Sequence, residues 1–404
     1  MKIRTIVISC CLLLRGAPSF AQIGPKPANA IRVATFNASL NRDSQGQLVR
    51  DLSDGKNVQA RNVAEVIQRV RPDIILINEF DDDRAGVAAD SFRKNYLEVA
   101  QNGAEAIHYP DHFSAEVNTG MPSKTDLDGD GRVVNEPGSR GYGNDAIGFG
   151  QFPGQYGLVV YSMYPIGKDV RQFHRLLWKD MPGALLPTKA DGSPWYSPES
   201  LDVLRLSSKS HWDVPISIEG KEIHLLVSHP TPPAFDGPED RNGKRNHDEI
   251  RLWADYLTGG GAAGYLKKAL PAGSSIEPPE SFIILGDQNA DPVDGGSQPG
   301  AIDQLLRHPK VNASFVPKSA GAAEASRSQG GRNQRHKGDA DADTADFADG
   351  SVGNLRVDYV LPSKNYEILG GGVFWPTQDD PLARLVKMSP AATSDHRLVF
   401  IDLK

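Results

Sequence analysis

Asn37, Glu79, His229, the Asp287-Gln288-Asn289 turn and the Ser394-Asp395-His396 turn each close or adjoin a short apolar run. Carboxylates, amides and imidazoles are the groups that hold a hard cation or move a proton. The runs Ile31 to Asn37, Ile74 to Glu79, Ile223 to His229 and Phe282 to Asp287 are rich in the β-branched residues that buried strands favour. Side by side in one sheet, their C-terminal ends would gather these groups at a single edge. An oxygen-rich set of that kind suits Mg²⁺, Mn²⁺ or Ca²⁺ rather than a thiolate-held metal. Taken singly, each residue has a plainer reading: Asn after a strand is common in turns, Glu there often caps a helix, Gly-Asp-x-Asn is an ordinary turn, and a lone His is more often structural.

The elements between these runs must position them. Val58, Val63, Val66, Ile67 and Val70 recur at helical spacing before Arg71-Pro72-Asp73 and the second run, which makes a β-α-β unit. Residues 81–155 have few apolar runs and many Gly, Asp and Asn, and read as a long surface insertion. A strand returns at Tyr156 to Ser162. The strand Val214 to Ile218 and the run ending at His229 are joined by Glu219 to Glu222, a tight hairpin. His247 to Leu257 reads as a helix, residues 317–350 as a mobile loop or a substrate-ordered lid, and Leu355 to Leu361 and Arg397 to Leu403 as the last strands.

Met1 to Ala21 has the form of a signal peptide: basic Lys2 and Arg4, apolar Ile6 to Leu14, then Ser19-Phe20-Ala21 with small residues at a cleavage site. A secreted or periplasmic domain of residues 22–404 is expected, with no membrane anchor, because Arg15 cuts the apolar stretch short of the ~20 residues a span needs. Both cysteines, Cys10 and Cys11, fall in the removed segment, so the mature chain would carry no disulfide. Its removal takes away three basic residues and no acidic one, moving the formal charge from −7 to −10. Proteins that grip long polyanions usually show a basic patch, so this acidity weakens a nucleic-acid partner without excluding one.

The order F-N (Phe36-Asn37), I-N-E (to Glu79), S-H-P-T (from Ser228), G-D-Q-N-A-D (from Gly286), R-V-D-Y (from Arg356) and S-D-H (to His396) resembles the endonuclease/exonuclease/phosphatase superfamily of metal-dependent phosphoesterases. The resemblance implies an α/β (α+β) fold of the DNase I-like type: a four-layer α/β sandwich, two packed mixed β-sheets flanked by helices, with the site at one edge. The stretches 81–155 and 317–350 would be insertions. It further implies Glu79 as the principal metal carboxylate, Asn37 beside it and Asp395 as a further ligand. Asp287 would orient the attacking water, and Asn289 would donate to phosphoryl oxygens. His229 would face the leaving group, and Asp358 would orient His396.

Asp126, Asp128 and Asp130 resemble the start of a calcium loop, although Pro137 stands where its bidentate Glu is expected; an acidic solvated loop is the equal alternative. Arg241 and Arg245 are candidate clamps for a substrate phosphate, against a hydrated loop. The expected activity is hydrolysis of a phosphate ester by in-line attack of water, first as a nuclease or phosphodiesterase. The alternatives are a phosphomonoesterase or phospholipase-type enzyme on small or lipid esters, and a catalytically inactive binding module. The oligomeric state is not expressed in these patterns.

Overall fold

A computed structural model of the chain describes residues 23–404. The expected signal peptide lies outside the described residues. Thirteen strands are present among them: β1 (Ile31–Leu40), β2 (Ile74–Phe80), β3 (Asp111–Phe113), β4 (Leu158–Ser162), β5 (Arg171–Gln172), β6 (His211–Ile218), β7 (Lys221–Ser228), β8 (Phe282–Asp287), β9 (Ala345–Asp346), β10 (Asn354–Leu355), β11 (Asp358–Pro362), β12 (Ile368–Val373) and β13 (Val399–Leu403). They form a six-stranded sheet in the order β12-β13-β1-β2-β4-β3 and a five-stranded sheet in the order β11-β8-β7-β6-β5; β9 and β10 pair apart. Both large sheets are mixed: β1 and β2 are parallel, as are β7 and β8, while β13, β4, β6 and β11 run antiparallel to their neighbours.

The strand sequences dictate the layering, because successive side chains leave opposite faces. In β2, Ile74 and Leu76 face the other sheet, where they meet Val214, Leu225, Ile283 and Leu285. Ile75 and Ile77 point outward onto Val63, Ile67 and Val70 of the helix Val58–Val70. The second sheet does the same: Leu226, Phe282 and Ile284 turn from the sandwich core onto Ile250, Trp253 and Leu257 of the helix Arg241–Thr258. Helix, sheet, sheet and helix are thus four layers, each sheet buried on both faces. Every such aliphatic side chain contributes roughly 1.5–3 kcal/mol of burial.

Four expectations need correction. The runs do not share one sheet: Asn37 and Glu79 belong to the first, His229 and Asp287 to the end of the second. Residues 317–350 are not a loose loop, since Ala320–Gln329 is a helix whose Ser319 cap accepts from the Ala322 N–H at 3.0 Å. Its small residues serve close approach: a Cβ on Gly321 would sit 2.0 Å from the Trp375 carbonyl oxygen. The helix expected at His247 begins at Arg241, because its first turns bury Arg245, Asn246 and Glu249 through hydrogen bonds, which an apolar periodicity cannot reveal. Within 81–155, the short strand β3 extends the first sheet, and Tyr109, Val117 and Tyr142 are buried, so this segment is packed rather than superficial. By contrast, the hairpin has the expected tight turn, with Glu219 and Gly220 both at positive φ between paired Ile218 and Lys221.

Gly286 sits where the second sheet delivers Asp287. Its φ is +139°, and an added Cβ would lie 2.0 Å from the Ser228 carbonyl oxygen of neighbouring β7. Gly286→Ala should therefore cost about 3 kcal/mol. Gly261→Ala, where an added Cβ meets nothing within 4 Å, should change stability by less than about 1 kcal/mol. Equal melting temperatures for the two variants would contradict this close-approach account.

Candidate active site

At the seam where the two sheets present the ends of β1, β2, β7 and β8, one carboxylate oxygen gathers three donors. Asp287 Oδ2 lies 3.1 Å from Asn37 Nδ2, 3.3 Å from His229 Nε2 and 3.6 Å from His396 Nε2. Its other oxygen accepts the Asn289 N–H at 2.8 Å. The Asn37 amide also donates to Glu79 Oε1 at 3.1 Å. On the far side, His396 Nδ1 meets Asp358 Oδ2 at 2.9 Å, and Thr344 Oγ1 donates to the same oxygen at 2.8 Å. Asp358 and Asp287 are direct cross-strand partners in the β11–β8 ladder, which is why an imidazole can touch both.

The expected set is therefore brought together: Asn37, Glu79, His229, Asp287, Asp358 and His396 form one continuous polar chain. Asn289 joins it through its N–H, and its side-chain amide donates to the Pro230 carbonyl at 3.1 Å. Asp395 is held by Ser39 and Ser394 hydroxyls at 3.4 and 3.3 Å from its Oδ1, beside Asn37 through Ser39. The backbone is forced here. Ser39, Glu79 and Asn289 all have positive φ (47°, 58° and 51°), conformations that non-glycine residues adopt at a cost of order 1 kcal/mol or more. A bulge in the β1–β2 pairing after Asn37 accompanies the first of them.

Electrostatics follow from this arrangement. Burial opposes ionisation of Asp287, but the charges of His396 and His229, with hydrogen bonds from His229 and Asn37, outweigh it and hold its carboxyl well below the usual range. Burial likewise opposes a charge on His396. The flanking Asp358 and Asp287 carboxylates overcome that opposition and raise it well above an ordinary histidine. Asp358, also buried, is raised by desolvation despite its imidazole partner.

The ligand atoms of Asp287, Asp358 and His396 lie within 4.8 Å of one another. As a cation cage this trio is unsuited, because the imidazole is already committed to a carboxylate at Nδ1 and faces a second at Nε2. Its form is that of a proton relay. The second oxygens of Glu79 and Asp395, in contrast, accept no hydrogen bond among the described residues, and both side chains are partly exposed. Hard oxygen donors with that freedom fit a divalent cation.

Two expectations about flanking residues meet different geometry. Arg245 does not project to solvent as a phosphate clamp: it is 8% exposed, and its guanidinium donates to the carbonyls of Leu206, Ile147 and Arg205. Arg241 pairs with Glu239 and lies over the Trp195 ring at 5.5 Å. Asp126, Asp128 and Asp130 do converge, with ligand oxygens within 4.8 Å. Those oxygens accept N–H groups of Gly129, Asp130, Gly131 and Arg132 in their own loop and the Asn144 amide.

Four contributors were not singled out from sequence. Thr344 and Phe347 come from the segment 317–350; the Phe347 ring meets His396 edge-on at 5.3 Å. Ser39 follows a recognisable Phe-Asn pair. Lys209, buried at 7% exposure, reaches the carbonyl of Pro230 at 3.4 Å. A lysine in a Ser-rich run entering a strand carries no distinguishing signal by itself.

The family model described as Endonuclease/Exonuclease/phosphatase family matches residues 34–396. Among solved structures, the chain is similar to an endonuclease/exonuclease/phosphatase from Beutenbergia cavernae (16% identity, TM-score 0.46, covering 93% of this chain and 71% of that one). It is also similar to sphingomyelinase C from Streptomyces griseocarneus (14%, 0.43, 92% and 99%) and to D. rerio TDP2 complexed with single strand DNA product (12%, 0.42, 93% and 99%). No curated protein matches.

The His396 environment has a measurable consequence. A histidine whose folded pKa is raised contributes stability that is fully present below its unfolded pKa of about 6.5 and is lost as pH rises through the folded value. In EDTA, the deficit in melting temperature of His396→Gln relative to wild type should be largest below about pH 6.5 and shrink at alkaline pH. A deficit that stays constant into the alkaline range would contradict a protonated imidazole clamped between Asp358 and Asp287.

Proposed function

The chain belongs to the endonuclease/exonuclease/phosphatase family, the metal-dependent phosphoester hydrolases, and from that premise we propose that it is a nuclease or phosphodiesterase. The observation that carries the reading is the continuous polar chain Glu79–Asn37–Asp287–His396–Asp358 across the sheet seam, hydrogen-bonded at every link except the 3.6 Å charge contact between Asp287 and His396. In it, metal-type oxygen donors stand at one end and a proton-moving imidazole at the other.

Glu79, with Asn37 and Asp395, would hold a divalent ion, Mg²⁺ or Mn²⁺, whose charge when bound neutralises the phosphoryl oxygens. The remaining work falls to side chains. Asp287 orients the attacking water, Asn37 and Asn289 donate to non-bridging oxygens, His396 steadied by Asp358 exchanges the proton, and His229 donates to the leaving oxygen. The depressed Asp287 carboxyl is a poor base in the free protein. An anionic phosphoryl group that takes up the His229 and His396 donors sets its own negative charge against that of the carboxylate, so basicity rises when substrate is in place.

A second reading, hydrolysis of a small or lipid phosphoester, is favoured by the acidic surface and by the internal engagement of Arg241 and Arg245. A panel of DNA, RNA, bis-p-nitrophenyl phosphate, p-nitrophenyl phosphate and sphingomyelin separates the two. Diesterase activity should vanish in EDTA, return with Mg²⁺ or Mn²⁺, and fall by at least about 100-fold in Glu79→Gln. Asp358→Asn should lower turnover far more than stability. No hydrolysis of any ester with either ion or Ca²⁺ would remove the enzymatic reading.

We also propose export. It rests on the N-terminal pattern alone; no helix among the described residues is long and apolar enough to cross a membrane. Sequencing of the protein from the periplasm or medium should find an N-terminus at Gln22, and an intact Met1 there would contradict cleavage near Ala21.

A further inference from the structure

Lys209 lies just before β6, with its ammonium almost wholly removed from solvent. Its single hydrogen bond is a long one, 3.4 Å to the Pro230 carbonyl, and among the described residues no carboxylate lies within 4.0 Å of it. The nearest acidic groups are otherwise engaged. Glu249 uses its two oxygens to accept the N–H of Ser208 and of Thr231, both at 2.6 Å, and so pins the segments that carry Lys209 and Pro230. Glu79 and Asp287 act on the ammonium through their charge. Burying an ammonium without a paired anion is costly even after relaxation. An ammonium has three donors, and one distant carbonyl leaves most of that capacity unspent.

The identity of the shared acceptor is informative. The same Pro230 oxygen takes the Asn289 side-chain amide at 3.1 Å. Two donors therefore converge on one main-chain oxygen in the residue that follows His229. On either side of that residue, His229 Nδ1 and Thr231 Oγ1 are buried without a hydrogen-bond partner. The surroundings are polar and undersatisfied, as expected of a place built to receive another polar group.

We propose that Lys209 is a substrate-contacting residue, its ammonium pairing with the Asn289 amide to hold a non-bridging oxygen of the scissile phosphoryl group. The inference rests on the phosphoesterase reading of this seam and adds a cationic donor that the six sequence motifs do not contain. In the free protein the Pro230 carbonyl is the acceptor for both donors. A phosphoryl oxygen is a stronger one, being anionic, and charge-assisted hydrogen bonds are about twice as strong as neutral ones. Lys209 comes from the segment entering β6 and Asn289 from the turn after β8, so the pair would grip the phosphoryl group from the second sheet while Asn37 and Glu79 face it from the first.

The test compares wild type with Lys209→Met, which keeps the length and apolar stem but removes the charge. With bis-p-nitrophenyl phosphate and saturating Mg²⁺, kcat/KM should fall about 100-fold, the effect of deleting one preorganised donor to a developing anion. Inhibition by inorganic phosphate should weaken in parallel. The Mg²⁺ concentration for half-maximal activity should stay unchanged or decrease, since a cation near Glu79 and Asp287 has been removed. A folded variant within about threefold of wild type overturns the inference, as does a loss accompanied by a raised Mg²⁺ requirement, which would make Lys209 a structural support of the metal residues.

If Lys209→Met does not fold, wild-type enzyme labelled at lysine Cε decides the matter by NMR. The buried lysine resonance, identified with Lys209→Arg, should shift on addition of inorganic phosphate with Mg²⁺, and an unmoved resonance at inhibitory phosphate overturns the proposal. An inactive wild type instead indicts the phosphoesterase reading itself, so the two failures are distinguishable.

Discussion

The oxygen Oδ2 of Asp287 accepts from side chains carried by both sheets, and the rest of the site is arranged around that fact. Asn37 arrives from β1 and His396 from the approach to β13, both in the six-stranded sheet, while His229 and Asp287 itself end β7 and β8 of the other. A buried carboxylate is tolerable only with compensation of this density. The polar seam and the apolar sandwich therefore need each other. Contacts of Ile74 and Leu76 in the first sheet with Val214, Ile283 and Leu285 in the second fix the spacing at which the donors approach one oxygen, and the donors offset the cost of burying its charge.

That requirement explains where the backbone is strained. Glu79, Ser39 and Asn289 stand at positive φ and Gly286 at +139°, all within two residues of the chain of polar contacts. Regular strands would point alternate residues to opposite faces and carry them past the seam. A bulge after Asn37 and left-handed residues at the strand ends turn the side chains inward instead. The deeper supports are less strained. Thr344 receives the N–H groups of Val357 and Asp358 at 3.0 Å and returns its hydroxyl to the Asp358 carboxylate, fixing the group that in turn fixes His396.

The strands, one flanking helix and the strand-end polar residues were legible from local signals, while the layering and the roles in the site followed only from the order of motifs that resembles the family. β-Branched runs marked β1, β2, β7 and β8, the spacing of Val63, Ile67 and Val70 marked a helix that spans the residues anticipated, and polar residues closing or adjoining apolar runs marked Asn37, Glu79, His229, Asp287 and His396, whereas Asp358 came from the resemblance. What was not legible depends on long-range contacts. The two packed sheets followed from the family resemblance, but which run joins which sheet is set by the faces that meet, not by any one strand. Residues 317–350 look compositionally loose because Gly321 must lie against the Trp375 backbone and Ala322 is buried beside it in the chain, so their smallness reflects packing and not mobility. Arg245 has the sequence neighbourhood of an anion clamp, yet three carbonyls from distant segments claim its guanidinium. Lys209 is the converse, a residue without local distinction that folding delivers to the Pro230 carbonyl.

The central claim is a division of labour along one polar chain, with a cation at the Glu79 end and a proton-moving imidazole at the Asp358 end. Anomalous scattering from crystals soaked in Mn²⁺ tests it most directly. The account predicts an anomalous peak bonded to a Glu79 carboxylate oxygen, with His396 Nδ1 still hydrogen-bonded to Asp358. A peak ligated instead by Asp287, Asp358 and His396, with the imidazole turned away from its carboxylate partner, would contradict it.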